Sequence, residues 1–314
     1  LRHERFVSGV RMHLSAQRLH LESDVPVAVT VRAGIDANVT TNGFDHFTAI
    51  ALAPGPTAAG VRCEVRTDGG GTVRMETRVT ASGTADWRYV EDARHGWCEA
   101  TFHVAPDRPL TVEKRTVVAT DRDPEPVAPA GILEPAMGRS WDELHAEHAG
   151  HWAEAWRRSD VEVDGDAAAQ LILRSSIYHL LRAHVPDDAR VAIDAKGYAG
   201  EAYKGHFFWD TETYLLPFYL YTDPAKAKTL VEFRVRNLPA AQALARRSGY
   251  RGARYPWESD ADGQECCSNF QYAEHEIHVT ADVVYGLAHY LAATGGIDRA
   301  PASFASHGQI SGMG

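Results

Sequence analysis

Two short segments of the chain combine indole rings with carboxylates. The first is Gly205-His206-Phe207-Phe208-Trp209-Asp210-Thr211-Glu212-Thr213, which follows the glycine-punctuated run Lys196 to Glu201 and leads into Tyr214-Leu215-Leu216-Pro217. The second is Tyr255-Pro256-Trp257-Glu258-Ser259. Aromatic rings lie well against the apolar C–H face of a pyranose, a carboxylate accepts hydrogen bonds from neighbouring hydroxyls, and an indole N–H donates to another. A buried aromatic helix start whose acids act only as caps explains the first segment just as simply. The second pairing shifts the balance. Both pairs are fenced by Gly or Pro where helical periodicity breaks, which favours a carbohydrate pocket lined by Trp209, Asp210, Trp257 and Glu258.

Other candidate chemistry is weaker. His145, His148 and His151 stand three apart, as do His275 and His278, and helical i, i+3 spacing presents two metal ligands on one face. The zincin pattern is absent, because His275-Glu276 is followed by Ile277 and then His278. Solvated or hydrogen-bonded histidines are the simpler reading, and no metal site is assigned. Gly69-Gly70-Gly71 and the stretch from Gly197 to Gly205 lack both a P-loop ending and a Rossmann spacing, so nucleotide binding is not expected. Lys204 and Arg254 suit an anion or, equally, the surface.

These residues sit in a chain of 314 residues, 44% hydrophobic and 24% charged, the composition of an ordinary globular protein with room for two domains. Its formal net charge of −10 argues against nucleic acid or an anionic membrane as partner. No apolar run approaches the ~20 residues that span a bilayer. The four cysteines form no disulfide framework at this length. Cys63 and Cys98 can pair only if their strands are neighbours, and Cys266-Cys267 is poorly placed to bridge to itself. A reducing, cytoplasmic setting follows as the expectation. The chain opens on Leu1 instead of Met, which leaves room for a missing N-terminus.

Residues 1–122 read as an antiparallel β-sandwich. Val25–Val31 alternates up to Gly34, with Pro26 acceptable only near a strand start or edge. Val61–Arg66 places Val61, Cys63 and Val65 on one face, and Thr72–Thr80, Cys98–Val104 and Leu110–Val118 alternate likewise. Residues 123–163 read as a proline-rich linker ending in a helix, opened by the capping-box spacing Ser140-Trp141-Asp142-Glu143 and running to about Arg158. Residues 164–298 are helical. Leu173, Ile177, Leu180, Leu181 and His184 share a face. Asp223-Pro224 starts a further helix, Pro239 breaks it near Asn237, and Gly249 stops the next. Ile277, Ala281, Val284, Ala288 and Leu291 form another stripe, closed at Thr294-Gly295. Residues 299–314 have no apolar period and read as a frayed tail.

The motifs resemble those of glycoside hydrolase family 65, the maltose, kojibiose and trehalose phosphorylases and related hydrolases. The matching stretches are Val31-Arg32-Ala33-Gly34-Ile35-Asp36, Ile193-Asp194-Ala195-Lys196-Gly197, Gly205 to Glu212, Gly249 to Ser259 and His278-Val279-Thr280-Ala281-Asp282. The resemblance implies a β-sandwich, a helical linker and an (α/α)6 barrel, of which this chain holds the opening helices, an incomplete barrel. It implies an inverting reaction in which a glutamic acid protonates the glycosidic oxygen while phosphate, or water in the hydrolases, attacks from the opposite face. By the same resemblance Trp209, Asp210, Trp257 and Glu258 hold the non-reducing glucose. The family's general acid and phosphate cradle come later in the barrel than Gly314, so no catalytic acid is named here, Glu258 included. The implied partners are a disaccharide and inorganic phosphate as co-substrate, with no other cofactor, and a homodimer is the assembly considered. The expectation is a chain incomplete at both ends that releases no glucose 1-phosphate by itself. A trehalase-like inverting hydrolase and a non-catalytic sugar-binding fragment are the alternatives.

Overall fold

A computed structural model describes residues 1–123, 125–198 and 202–295, so the tail expected over 299–314 lies outside the described residues. The chain divides into two compact units, Leu1–Glu154 and Ala155–Gly314.

The first unit carries β1 (Arg2–Val7), β2 (Leu14–Leu21), β3 (Val27–Asp36), β4 (Phe47–Pro54), β5 (Gly60–Thr67), β6 (Thr72–Ala81), β7 (Arg88–Glu91), β8 (His95–Val104) and β9 (Leu110–Thr120). They form a six-stranded sheet in the order β1-β2-β9-β6-β5-β4 and a three-stranded sheet β3-β8-β7. Every pairing is antiparallel. Side chains alternate across each strand, so Val61, Cys63 and Val65 of β5 meet Cys98, Ala100, Phe102 and Val104 of β8 in one core between the sheets. Cys63 and Cys98 are both free thiols buried there, on strands of different sheets.

In this unit two details depart from the sequence reading. Gly34 does not stop β3, which continues to Asp36. A Cβ on Gly34 would stand 2.0 Å from the Gly96 carbonyl oxygen, so glycine here permits close strand approach instead of ending the strand. The proline-rich stretch is also more ordered than a linker, since α1 (Pro129–Met137) forms inside it with Pro129 in its first turn. Leu133 and Ala136 of α1 pack on Leu14, Ala16 and Val117, covering the outer face of the six-stranded sheet. The Arg115 guanidinium donates to the Ala136 carbonyl at 2.5 Å, satisfying one of the helix's terminal acceptors.

Helix α2 (Trp141–Ser159) opens with the anticipated reciprocal cap. The Glu143 amide donates to Ser140 Oγ at 3.2 Å, and the Ser140 amide donates to Glu143 Oε2 at 2.8 Å. On this helix His148 stacks on Phe6 with centroids 4.9 Å apart, and its Nδ1 accepts from the Gly9 amide at 3.3 Å. Burial, with His145 and His151 nearby, holds the His148 pKa below its ordinary value.

The second unit contains α3 (Ala167–Ala183), α4 (Leu216–Thr222), α5 (Pro224–Arg236), α6 (Leu238–Arg247), α7 (Phe270–His275) and α8 (Val279–Thr294). Asp166 caps α3 by accepting from the amides of Ala168 and Ala169. The break at Asn237 and the stop at Gly249 fall where expected, and Gly249 adopts φ +80°. Asp223 occupies the cap position of α5, but its carboxylate accepts from Arg158 at 3.4 Å and caps nothing. The stripe assigned to α8 lies on the wrong face. Val279, Val283, Gly286 and Tyr290 are buried, whereas Ile277 and Val284 are exposed. Both faces of α8 are apolar, so periodicity alone did not separate them. Among the described residues no helix is long and apolar enough to cross a membrane.

Candidate functional site

The segments between α3 and α4 and between α6 and α7 lack long strands, yet backbone bridges stitch them together. The Phe207 amide donates to the Ser259 carbonyl at 2.8 Å, and the Ser259 amide returns a bond to Phe207 at 2.9 Å. Asp194 bridges to the other side of Phe207, and Glu265 bridges to Ser259. This narrow ladder fixes the residues that follow Phe207 beside those that precede Ser259. Trp209 and Trp257 consequently lie with ring centroids 6.4 Å apart, tilted by 46°.

An aromatic cluster surrounds the two indoles. His278 stands edge-on to both, 5.0 Å from Trp209 and 5.8 Å from Trp257. Its Nδ1 is 2.5 Å from Asp282 Oδ2, one helical turn along α8, and Nε2 lies 3.6 Å from Glu276. Tyr272 stacks on Trp257 at 5.8 Å, and Tyr214 lies 5.8 Å from Trp209. Both indoles remain partly exposed, which leaves ring surface for a ligand.

Three carboxylates in the two sequence motifs meet three different fates. Glu212 is buried and takes two bonds from Arg234, at 2.7 and 2.9 Å. Arg234 Nη2 also donates to the Phe208 carbonyl at 2.8 Å, and the Tyr255 hydroxyl donates to the Arg234 carbonyl at 2.8 Å. Burial opposes the Arg234 charge, but the Glu212 carboxylate outweighs it and holds the guanidinium above its ordinary pKa. Gly286 lets α8 approach, since a Cβ there would stand 3.1 Å from the Glu212 side chain. Glu212 is therefore structural, locking the segment that carries Trp209 and Asp210.

Glu258 accepts at Oε1 from His206 Nδ1, 2.6 Å away, which orients one of its oxygens. Asp210 differs from both. It is half-buried, it begins the helical turn Thr211–Leu215 without capping it, and no donor among the described residues reaches its carboxylate. The capping role that sequence allowed for Asp210 is thus not the one it plays. A partly desolvated carboxylate with open lone pairs, on the residue that follows a partly exposed indole, is suited to adjacent hydroxyls of a neutral polyol.

The anion reading of Arg254 fails, because its guanidinium is buried and bonded to Ser248 Oγ, Glu274 and the Ala273 carbonyl. Lys204 is exposed. Asp210, Glu258, Glu276 and Asp282 make the corner acidic, which suits a neutral sugar better than a free anion. Cys266 and Cys267 are free thiols beside this loop, pushed up by burial and then by neighbouring carboxylates that include Glu258 and Glu265.

Of the residues expected from sequence, the structure brings Trp209 and Trp257 into contact, with Asp210 and Glu258 next to them in the chain. Sequence reasoning did not assign roles to His206, Arg234, Glu265, His278 or Asp282. For His278 and Asp282 the i, i+4 spacing at a helix start was the available signal. Arg234 gave none, since its partner Glu212 is distant in the chain, and Glu265 gave none because its bonds run to backbone amides in an irregular loop.

The description "Glycosyl hydrolase family 65, N-terminal domain" matches residues 1–155, and "Glycosyl hydrolase family 65 central catalytic domain" matches residues 174–300. The kojibiose phosphorylase of Halothermothrix orenii is 32% identical over 326 residues, an alignment covering 93% of this chain and 41% of that relative. The α,α-trehalose phosphorylase of Thermoanaerobacter brockii is 39% identical over 166 residues, covering 53% of this chain and 21% of that protein. A solved structure named as a candidate kojibiose phosphorylase of human-microbiome origin superposes with a TM-score of 0.82 at 24% identity, covering 91% of this chain and 38% of that one. The chain thus spans about two fifths of the length of relatives that it matches along nearly all of its own, as the 41% coverage shows.

Proposed function

As the chain belongs to glycosyl hydrolase family 65, we propose that it supplies the glucose-holding corner of an inverting α-glucobiose phosphorylase. The activity is proposed for a polypeptide of the relatives' length that carries these residues. Its α3–α8 helices are read as the opening of an (α/α)6 barrel, and its four free thiols fit a cytoplasmic setting.

The observation that carries the reading is the meeting of Trp209 and Trp257, with Asp210 next to Trp209 in the chain and no donor among the described residues on its carboxylate. In the proposed complex the indoles border the non-reducing glucose ring, Asp210 accepts from two of its hydroxyls, and Glu258 accepts from another while His206 holds its orientation. As the glycosidic bond breaks, positive charge develops on the glucose ring, and carboxylates fixed beside it stabilise that state more than the resting sugar. Phosphate attacks from the face opposite the leaving sugar, which gives the β-anomer of glucose 1-phosphate. By the family resemblance the protonating glutamic acid and the phosphate ligands lie later in the barrel, so they are assigned to the portion of the relatives' length not represented in these residues.

The experiment is an anomer-resolved product assay on the relatives'-length polypeptide with kojibiose, trehalose, nigerose and maltose, with and without phosphate. Phosphate-dependent release of β-glucose 1-phosphate from one of them supports the reading. Phosphate-independent release of glucose would make the protein a hydrolase, and no turnover of any α-glucobiose would remove the proposal.

A further inference from the structure

Glu265 makes an unusual set of bonds for a side chain in an irregular loop. Between Ser259 and Glu265 the chain reverses around Asp260, whose Oδ1 accepts from the amides of Asp262 at 2.9 Å and Gln264 at 2.8 Å. The reversal closes with the Ser259–Glu265 bridge and with the Cys266 amide donating to the Glu258 carbonyl at 2.8 Å. Glu265 then turns its carboxylate back onto the incoming segment. Oε2 accepts from the Trp257 amide at 2.7 Å, and Oε1 accepts from the amides of Glu258 at 3.1 Å and Cys267 at 3.0 Å.

We propose that Glu265 is the positioning residue of the Trp257–Glu258 corner, an inference that rests on the function proposed above. Backbone amides of successive residues ordinarily find acceptors in a neighbouring strand or helix. Here one carboxylate supplies them, and a charged acceptor makes shorter and stronger bonds than a carbonyl. Fixing the amides of Trp257 and Glu258 fixes the directions in which both side chains leave the backbone. Trp257 is thereby held between Tyr272 and His278, and Glu258 is aimed at His206. Glu265 itself touches neither indole in a ring contact; its effect on a sugar passes through the loop. The same arrangement explains why an acid follows the aromatic–acid pair at this distance in the chain.

Glu265→Gln tests this with little change of shape. A carboxamide offers one acceptor oxygen and one NH2, so its nitrogen must face either the Trp257 amide or the pair from Glu258 and Cys267, donor against donor. Glu265→Asp keeps both acceptors on a shorter arm. Both variants are made in the relatives'-length polypeptide, and hydrogen exchange over residues 255–268 is measured alongside KM and kcat for the disaccharide. The expected result for Glu265→Gln is faster exchange concentrated in that segment and KM raised about tenfold or more, the scale set by a small misplacement of a binding group. Glu265→Asp should recover part of the loss. Exchange unchanged in Glu265→Gln, exchange raised without any change in KM or kcat, or loss of folding in both variants would overturn the inference. If the unaltered protein turns over no α-glucobiose, the functional reading fails separately, and the exchange measurement still decides whether Glu265 holds the loop.

Discussion

The indole rings of Trp209 and Trp257 lie 6.4 Å apart, and the imidazole of His278 stands edge-on to both. Neither ring is brought there by local sequence. The Phe207–Ser259 bridge, the buried Arg234–Glu212 pair and the Glu265 carboxylate together set the spacing. From these relations the following outcomes are expected.

Asp210→Ala should separate function from stability. Its carboxylate has no partner among the described residues, so removing it breaks no intramolecular bond. In the relatives'-length polypeptide, losing two hydrogen bonds from sugar to a charged acceptor should cost roughly 3 kcal/mol, or about a hundredfold in kcat/KM. Urea unfolding should move by less than ~0.5 kcal/mol. Initial rates and denaturation curves on one preparation check both halves.

Arg234→Met should do the reverse. It leaves the buried Glu212 carboxylate without its guanidinium, and breaking one side of such a pair costs about 3–5 kcal/mol. Chemical denaturation of the single variant, and of the double variant with Glu212→Leu, measures this. The double variant should recover much of the loss, because the uncompensated charge is then gone.

Acid should weaken the second unit through His184. The imidazole is buried, with Nε2 against Thr229 Oγ1 at 2.8 Å, and burial, then the Lys226 charge, lowers its pKa from 6.5 to about 4. The unfolded chain takes up the proton first, so this group's contribution is intact above 6.5, declines as pH falls, and levels off below about 4. The full loss approaches roughly 3 kcal/mol at ~1.4 kcal/mol per pH unit. The difference between the unaltered chain and His184→Gln, followed by urea unfolding across that window, should show this slope.

Ser140→Ala should lower stability by about 1 kcal/mol, because it deletes one half of the reciprocal cap on α2. Thermal unfolding of the isolated chain reads this directly.

Much of this arrangement was legible in the sequence where the signal is local. The alternation of Val61, Cys63 and Val65 announced a buried strand, Ser140 to Glu143 announced a helix start, and Asn237 and Gly249 marked breaks that the backbone respects. Strands β1, β2, β4 and β7 escaped notice. Phe6 is the sole buried residue of β1 and Leu14 and Ala16 are the buried pair of β2, too few to make alternation visible. The meeting of the two aromatic–acid segments was foreshadowed by residue type at Trp209 and Trp257, whose rings the structure brings together. Glu212 shows the limit of that approach. It sits in the same motif as Asp210, and only the distant Arg234 assigns it to the framework.

In the proposed complex both indoles serve one glucose ring. A crystal structure of the relatives'-length polypeptide with glucose bound tests it most directly. The expected result is the pyranose in contact with Trp209 and Trp257 together, with hydroxyls within hydrogen-bonding distance of the Asp210 carboxylate. Glucose bound elsewhere, or touching one indole while Asp210 stays unliganded, would contradict it.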